Sequence, residues 1–181
     1  MIDRQPECVL GRVDDLLKSE LQEFWRKHQE PFQAELNSFR ALYVGSELLF
    51  NQSDRLLSRD PAAIARDEAG SIIGIVYVAL RKIDPSLNLG THAYFQQMYI
   101  VPGSRCCKLA NRLFRLFLYE FDKAANWRDH RAKVLFAENV NPGLRKSSMR
   151  RYFARLGFRM LGANRLGGEV WFRGLQVRFL F

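Results

Sequence analysis

The stretch Met98-Tyr99-Ile100-Val101-Pro102-Gly103-Ser104-Arg105-Cys106-Cys107-Lys108-Leu109-Ala110 decides how the fold is interpreted. It predicts a β-strand that passes through a short polar turn directly into an amphipathic helix, which continues to about Ala125. The first backbone N–H groups of such a helix have no partner within it, and together with the helix dipole they suit a phosphate group. Arg105 and Lys108 add positive charge there. The alternative is an ordinary strand–loop–helix unit with solvated basic residues.

The remaining sequence alternates between strand and helix patterns on both sides of this stretch. Apolar residues recur at helical spacing from Asp14 onward and predict a first helix, with Asp14 or Asp15 as its N-cap. Pro31 is expected to end this helix. A second helix is predicted over Phe32–Phe50, and a last one over Ser147–Leu156, ended by Gly157 in the left-handed conformation. Strands are predicted at Cys8–Arg12, Ala62–Asp67, Ser71–Lys82, His92–Val101, Lys133–Ala137, Phe158–Leu161 and Glu169–Phe179.

Two short motifs resemble those of a known family. Val101-Pro102, Arg105 and Ala110, between an apolar strand and a Leu-rich helix, resemble the pyrophosphate motif of the GNAT family of N-acyltransferases. Asn141 followed by the segment Tyr152 to Phe158 resembles the family's Asn and Tyr-x-x-Leu-Gly-Phe signature. The resemblance covers about Ser71 to Arg178. It implies an α/β (mixed α+β) fold in which a central mixed sheet is flanked by helices on both faces, formed as one domain by residues 1–181.

The resemblance also implies a cofactor, acetyl-CoA or another acyl-CoA. In the family the strand before the motif helix supplies a backbone N–H to the thioester carbonyl, and the loop amides hold the pyrophosphate. The residues expected to contact the cofactor are Tyr99, Ile100, Val101, Arg105, Cys106, Cys107, Lys108, Leu109, Ala110 and Asn141.

Transfer of an acyl group to an amine requires a base for the amine proton and benefits from an acid for the leaving thiolate. Glu138 is the first candidate base because it lies at the C-terminal end of a predicted strand, and His92 and Tyr94 are alternatives. Tyr152 is the candidate proton donor to the thiolate. No Cys/His spacing suits a metal.

The sequence departs from the family pattern in ways that leave activity open. Lys108 stands where the family usually has the first glycine of the loop, which lets the backbone approach the pyrophosphate closely. Phe153 stands at the position counted for the family's general-acid tyrosine, and the interval from Asn141 to Gly157 is longer than usual. The prediction is an acyl-CoA-dependent N-acyltransferase. The alternative is a GNAT-fold protein that is non-catalytic or modifies nucleic acid.

Positive charge is concentrated in the C-terminal part of the chain. Residues 1–104 contain 11 Lys and Arg against 14 Asp and Glu, whereas residues 105–181 contain 17 against 5. Such an asymmetry favours a polyanionic partner, which is a nucleic acid or an acidic protein surface. The residues expected to contact it are Arg145, Lys146, Arg150, Arg151 and Arg155.

Composition restricts the class of protein. The 181 residues are 48% hydrophobic and 26% charged, which is typical of a globular domain. The sequence contains no run of eighteen apolar residues, so no membrane-spanning helix is predicted. The N-terminus lacks the pattern of a signal peptide, so a cytoplasmic protein is expected. Cys8, Cys106 and Cys107 do not form a disulfide framework, because their number is odd and two of them are adjacent.

Overall fold

The structure is a computed structural model that describes residues 5–41, 61–163 and 168–175. The contacts within it divide the chain into two compact units. The first unit contains residues 1–32, 52–78 and 97–128, and the second contains residues 33–51, 79–96 and 129–181.

The described strand and helix boundaries lie close to those predicted, with two exceptions: the N-terminal strand has only two residues, and the first helix does not end at Pro31. The last predicted strand, Glu169–Phe179, is observed as far as Gly174, and its positions 176–179 lie outside the described residues. The described strands are β1 Glu7–Cys8, β2 Pro61–Arg66, β3 Ile72–Lys82, β4 His92–Ile100, β5 Ala132–Asn139, β6 Arg159–Ala163 and β7 Glu169–Gly174. The described α-helices are α1 Asp15–Ala41, α2 Cys107–Lys123 and α3 Ser147–Arg155.

The strands form one mixed sheet, which confirms the predicted fold class. Their hydrogen-bonded order is β1-β2-β3-β4-β5-β7-β6. Strands β4 and β5 run parallel: His92 pairs with Ala132 at one end of the ladder, and Gln96 pairs with Ala137 at the other. The pairs β1–β2, β2–β3, β5–β7 and β7–β6 are antiparallel.

Helices α1 and α2 cover opposite faces of the sheet in the first unit. On the α1 side, the ring of Trp25 stacks on Tyr77 at 5.9 Å and on Tyr99 at 6.0 Å between centroids. On the α2 side, Leu113 lies against Gly74, where an added Cβ would be only 3.2 Å from the Leu113 Cδ2 atom. Residues 74 and 77 point to opposite faces of β3 because side chains alternate along a strand. Gly74 therefore lets α2 approach the sheet closely.

Helix α1 continues through Pro31, so the prediction that Pro31 ends the helix was wrong. Proline removes one N–H donor, but its fixed φ of about −65° is compatible with helical backbone. Packing on the C-terminal side of Pro31 favours continuation: Phe32 is buried and contacts both Trp25 and Tyr99. The predicted helix over Phe32–Phe50 therefore begins as part of α1, and its positions 42–50 lie outside the described residues. At the other end, the Oδ1 atom of Asp14 accepts the N–H of Leu17 at 2.8 Å, as predicted for an N-cap.

In the second unit, helix α3 packs on one face of the sheet. Phe153 stacks on Trp171 of β7 at 5.5 Å between ring centroids. Gly157 ends the helix with φ +82°, and the N–H of Phe158 returns to the carbonyl of Phe153 at 3.0 Å. These bonds form the glycine C-cap predicted from the sequence.

The other face of the same sheet carries an apolar cluster. Ala93, Val134 and Phe136 are buried there, and Phe95 and Phe172 pack against them while remaining partly exposed. No described helix has the length and apolarity needed to cross a membrane.

Candidate functional site

The loop between β4 and α2 presents three consecutive backbone N–H groups that have no acceptor among the described residues. The chain leaves β4 at Ile100, forms a 3₁₀ turn over Pro102–Ser104 and enters α2 at Cys107. The N–H groups of Cys106, Cys107 and Lys108 make no hydrogen bond there. They lie at the N-terminus of a helix of 17 residues, where the helix dipole is positive.

The amides on both sides of these three are already bonded. The N–H groups of Ser104 and Arg105 donate to the carbonyls of Val101 and Pro102 at 2.9 and 3.3 Å. The N–H of Leu109 donates to the Cys106 sulfur at 3.4 Å, so the thiol acts as the N-cap of α2. This bonding leaves the amides of residues 106–108 as the open part of the predicted loop.

Leu109 and Ala110 contribute in a different way from the other predicted loop residues. The Leu109 side chain is buried, and Ala110 is half-buried with its N–H bonded to the carbonyl of Cys106 at 3.1 Å. Both residues therefore anchor the first turn of α2 from inside the first unit.

Arg105 and Lys108 place two cations at this loop. The Arg105 Nε atom donates to the Ile100 carbonyl at 2.8 Å, and its guanidinium lies 5.7 Å from the centre of the Tyr99 ring. Arg105 therefore holds the turn as well as adding charge. The Lys108 side chain is exposed and makes no ion pair with a described residue, so its charge is available to a ligand.

The strand before the loop does not offer all the N–H groups that the sequence predicted. The N–H of Val101 donates to the Ile73 carbonyl of β3 at 2.9 Å. In this structure Val101 therefore has no N–H left for a thioester carbonyl, and Tyr99 and Ile100 remain as the predicted donors.

Glu138, in the second unit, lies near the end of β5 and is exposed as a whole residue, although its carboxyl group is partly surrounded by protein. It pairs in register with Val170 of β7 and makes no hydrogen bond or ion pair with any described residue. Burial raises the pKa of Glu138 above its ordinary value, and the nearby Arg81 guanidinium only partly offsets this effect. A carboxylate in such a setting is suited to accept a proton.

The alternative acid and base candidates have other contacts. The hydroxyl oxygen of Tyr94 accepts the N–H of Asp129 at 2.7 Å, and Tyr94 is buried. His92 is half-buried, with its Nδ1 atom 3.0 Å from the Thr91 hydroxyl. Tyr152 is half-buried on α3, with its ring 5.8 Å from that of Phe153. Tyr94 therefore has a structural role, joining β4 to the segment before β5.

Two asparagines follow each other closely at the end of β5. Asn141, the predicted cofactor contact, uses its Oδ1 atom to accept the N–H of Gly143 at 2.8 Å and so begins the 3₁₀ turn Pro142–Arg145. Asn139 was not predicted: it is 4% exposed, and its Nδ2 atom has no hydrogen-bond acceptor. The alternation of β5 could have indicated that Asn139 faces inward, but not that its amide lacks a partner.

The five predicted basic contacts do not form a uniform group. Arg150 donates from Nε to the buried carboxylate of Glu169 at 2.8 Å, so this cation is paired within the protein, and its contact with a partner stays a prediction. Arg145 is half-buried and also has a partner. Lys146, Arg151 and Arg155 are exposed and make no ion pair with a described residue.

The cysteines remain separate thiols. Cys106 and Cys107 are exposed and Cys8 is half-buried. Within the described ranges, no three or more His, Cys, Asp or Glu residues gather in a way that could hold a metal ion.

Comparison with solved structures identifies the fold. No protein-family model and no curated protein matches the sequence. A GCN5-related N-acetyltransferase from Kribbella flavida is 16% identical, with 94% of this chain and 97% of that chain covered and a TM-score of 0.52. An acetyltransferase of the GNAT family from Staphylococcus aureus is 15% identical, with 94% and 99% covered and a TM-score of 0.50. The chain therefore has the fold of the GNAT acetyltransferases, as its two motifs predicted.

Proposed function

We propose that the protein transfers an acyl group from an acyl-CoA, with acetyl-CoA as the first candidate, to an amine. The observation that carries this proposal is the row of three open backbone N–H groups at Cys106, Cys107 and Lys108. A pyrophosphate needs several convergent donors and positive charge, and helix N-termini provide both. The Lys108 ammonium adds a formal charge beside these amides, so a lysine at the usual glycine position supports anion binding here. The proposal takes residues 1–181 as a single domain.

Each proposed catalytic role follows from the chemistry of acyl transfer. The acyl-CoA supplies an activated carbonyl. The N–H of Tyr99 or Ile100 is proposed to donate to the carbonyl oxygen, and Glu138 to take the proton from the amine. Tyr152 is proposed to protonate the departing thiolate, with His92 as the alternative base. Asn141 is proposed to contact the cofactor through its Nδ2 atom, since its Oδ1 atom is bonded to Gly143.

A calorimetric titration with acetyl-CoA tests this proposal. The Lys108→Glu variant should bind at least about tenfold more weakly, because a difference of about 1.4 kcal/mol corresponds to a factor of ten. Arg115→Glu is the matched control: Arg115 is exposed on the same helix and makes no ion pair with a described residue. If wild-type protein does not bind acetyl-CoA, or if both variants lose affinity equally, the loop is not a pyrophosphate site.

A polyanionic partner is a second candidate function, with or without acyl transfer. Residues 142–163 contain six Lys and Arg and no Asp or Glu. Lys146, Arg151 and Arg155 are the exposed members without an ion pair among the described residues that the sequence predicted as contacts. We propose a nucleic acid as this partner, because clustered unpaired cations bind phosphate backbones, and a single-stranded oligonucleotide is the first probe.

Salt dependence tests the second candidate. Replacing Lys146, Arg151 and Arg155 by Gln should reduce the slope of log affinity against log salt by about 2, because each phosphate contact contributes about 0.7 for single strands. Replacement of Lys18, Arg26 and Lys27 on α1 removes the same charge from residues paired with Asp15 or Glu23 and should change the slope little. No binding at low salt would exclude a nucleic acid as the partner.

A further inference from the structure

We propose that the amine acceptor is a free α-amino acid with an apolar side chain, held on one face of the sheet in the second unit. This inference rests on the proposed acyl transfer and specifies its substrate class. The proposed site, called the acceptor face, consists of residues that share that face of the sheet or lie against it. They are Arg81, Phe95, Phe136, Glu138, Val170 and Phe172.

Three phenylalanines form an apolar floor across neighbouring strands. Phe95 of β4 pairs with Phe136 of β5, which in turn pairs with Phe172 of β7. The ring centroids of Phe95 and Phe136 are 5.0 Å apart, and those of Phe136 and Phe172 are 6.4 Å apart. Phe136 is buried, whereas Phe95, Phe172 and Val170 remain partly exposed. An apolar side chain that covered this open surface would be stabilised by about 25 cal/mol for each Å² removed from water.

Two opposite charges border the floor without bonding to each other. The Arg81 guanidinium lies 5.5 Å from the centre of the Phe95 ring and is close enough to Glu138 to affect its ionisation. Neither residue makes a hydrogen bond or a salt bridge with a described residue. Elsewhere in the same unit such charges do pair, as in Arg150–Glu169 and Arg131–Asp129. The acceptor face therefore presents a separate carboxylate and a separate guanidinium.

A molecule with an ammonium and a carboxylate complements this arrangement. Arginine binds carboxylates through two parallel N–H donors, and a carboxylate such as Glu138 binds an ammonium. An α-amino acid carries both groups on one carbon, and its side chain is then free to lie on the apolar floor. A polyamine offers no carboxylate to Arg81 and adds positive charges beside it. The charges and the floor together favour an apolar amino acid over a polyamine.

The transfer step is balanced with these groups. Glu138 takes one proton from the ammonium, which leaves a neutral amine with a free electron pair. The nitrogen then forms the new C–N bond as the thioester C–S bond breaks, and the sulfur leaves with that electron pair. The departing sulfur takes a proton from the Tyr152 hydroxyl, and the second amine proton restores that hydroxyl. The products are the N-acyl amino acid, the CoA thiol and one proton, which Glu138 returns to solvent.

Steady-state kinetics with three related acceptors tests the inference. Phenylalanine, phenylalaninamide and phenethylamine share the apolar group, but only the first has a carboxylate. Product amide should be measured by mass spectrometry, because the exposed thiols of Cys106 and Cys107 would react with thiol reagents. Wild-type enzyme should prefer phenylalanine by at least about tenfold in kcat/KM, as expected for about 1.4 kcal/mol from a bidentate contact.

The Arg81→Gln variant should lose this preference through a higher KM for phenylalanine, with little change for phenethylamine. Lys82→Gln is the matched control, since the neighbouring residue of β3 carries the same charge to the opposite face. Equal effects of Arg81→Gln on all three acceptors would overturn the inference. So would acylation of polyamines but not of amino acids by a protein that binds acetyl-CoA. If the protein does not bind acetyl-CoA, both the proposed acyl transfer and this inference about its acceptor are overturned.

Discussion

Arg66 in the first unit and Arg81 in the second are strand arginines near carboxylates, but their surroundings differ. Arg66 donates from Nε to Glu7 at 2.9 Å, from one terminal nitrogen to Glu20 at 2.6 Å and from the other to the Gly70 carbonyl at 2.8 Å. Arg81 has no hydrogen bond to a described residue and lies beside Glu138 without pairing.

This difference separates charges that hold the fold from charges that can receive a ligand. The bonds of Arg66 connect β2 to β1, to α1 and to the β2–β3 turn, so its guanidinium is satisfied by the protein. Arg81 and Glu138 each keep their hydrogen-bonding capacity for another molecule. Hydrogen bonds to charged groups contribute about 1.5–3 kcal/mol each, so a ligand that completes both residues would gain substantially.

The largest expected effect is catalytic. Glu138→Gln should lower kcat by about 10²–10⁴-fold, the usual contribution of a positioned base, while leaving acetyl-CoA affinity unchanged. Glu20→Gln makes the same chemical change in a carboxylate bonded to Arg66, and it should leave kcat unaltered. Rapid-quench or steady-state assays of both variants compare the two regions directly. A Glu138→Gln enzyme with normal kcat would show that the unpaired carboxylate is not the base.

The next effect is on stability, and here the substitution in the first unit, at Arg66, should matter more than the one in the second unit, at Arg81. Arg66→Ala should reduce the free energy of unfolding by about 1–2 kcal/mol, because it removes two ion pairs whose partly exposed carboxylates can exchange Arg66 for water. Arg81→Ala should change it by less than about 0.5 kcal/mol, as is usual for surface substitutions. Urea unfolding curves of the two variants measure both quantities. Equal losses would remove the distinction between the two arginines.

A smaller effect concerns the pH dependence of stability. Because burial raises the pKa of Glu138 in the folded protein, its ionisation disfavours the folded state above the unfolded pKa of about 4.3. Glu138→Gln should therefore raise the melting temperature at pH 7, and the gain should disappear below about pH 4, where Glu138 is neutral in both states. Glu68→Gln, on the exposed β2–β3 turn, is the control. A gain that did not vary with pH would argue against this origin.

The smallest effect is expected at the N-cap of α2, where the Leu109 N–H is bonded only weakly, to a sulfur atom. The Cys106 sulfur accepts the Leu109 N–H at 3.4 Å, whereas a serine oxygen is a stronger acceptor at this position. Cys106→Ser should raise the free energy of unfolding by about 0.5 kcal/mol or less. Thermal unfolding of this variant, compared with Cys107→Ser, would show whether the thiol holds the loop.

Much of the fold could be predicted because its signals are local. The polar turn after Ile100, the Asp14 cap and the Gly157 stop each follow from the conformation of a few residues. Pro31 was misjudged because packing of Phe32 against Trp25 and Tyr99 lies outside any local pattern. Tertiary contacts therefore decided that this helix continues through Pro31.

The candidate site was harder to predict than the fold, because it depends on which residues of distant strands pair with each other. Glu138 could be selected from its place at the end of a strand, but Arg81 has no local signature. Its position over Phe95 follows from the pairing of strands far apart in sequence. Likewise, sequence reasoning predicted open amides at the start of α2, but not that Leu109 and Ala110 are already bonded.

Gly74 sets the distance between the sheet and α2 in the first unit. A methyl group at this position would meet Leu113 at 3.2 Å and Ile100 at 3.3 Å, so α2 would have to move outward by a few tenths of an ångström. The amides of residues 106–108 belong to that helix and its cap, and they would move with it relative to β4. The absence of a side chain at Gly74 therefore fixes how far the amides of residues 106–108 lie from β4, and a substitution in the core would displace these amides without any change to the loop itself.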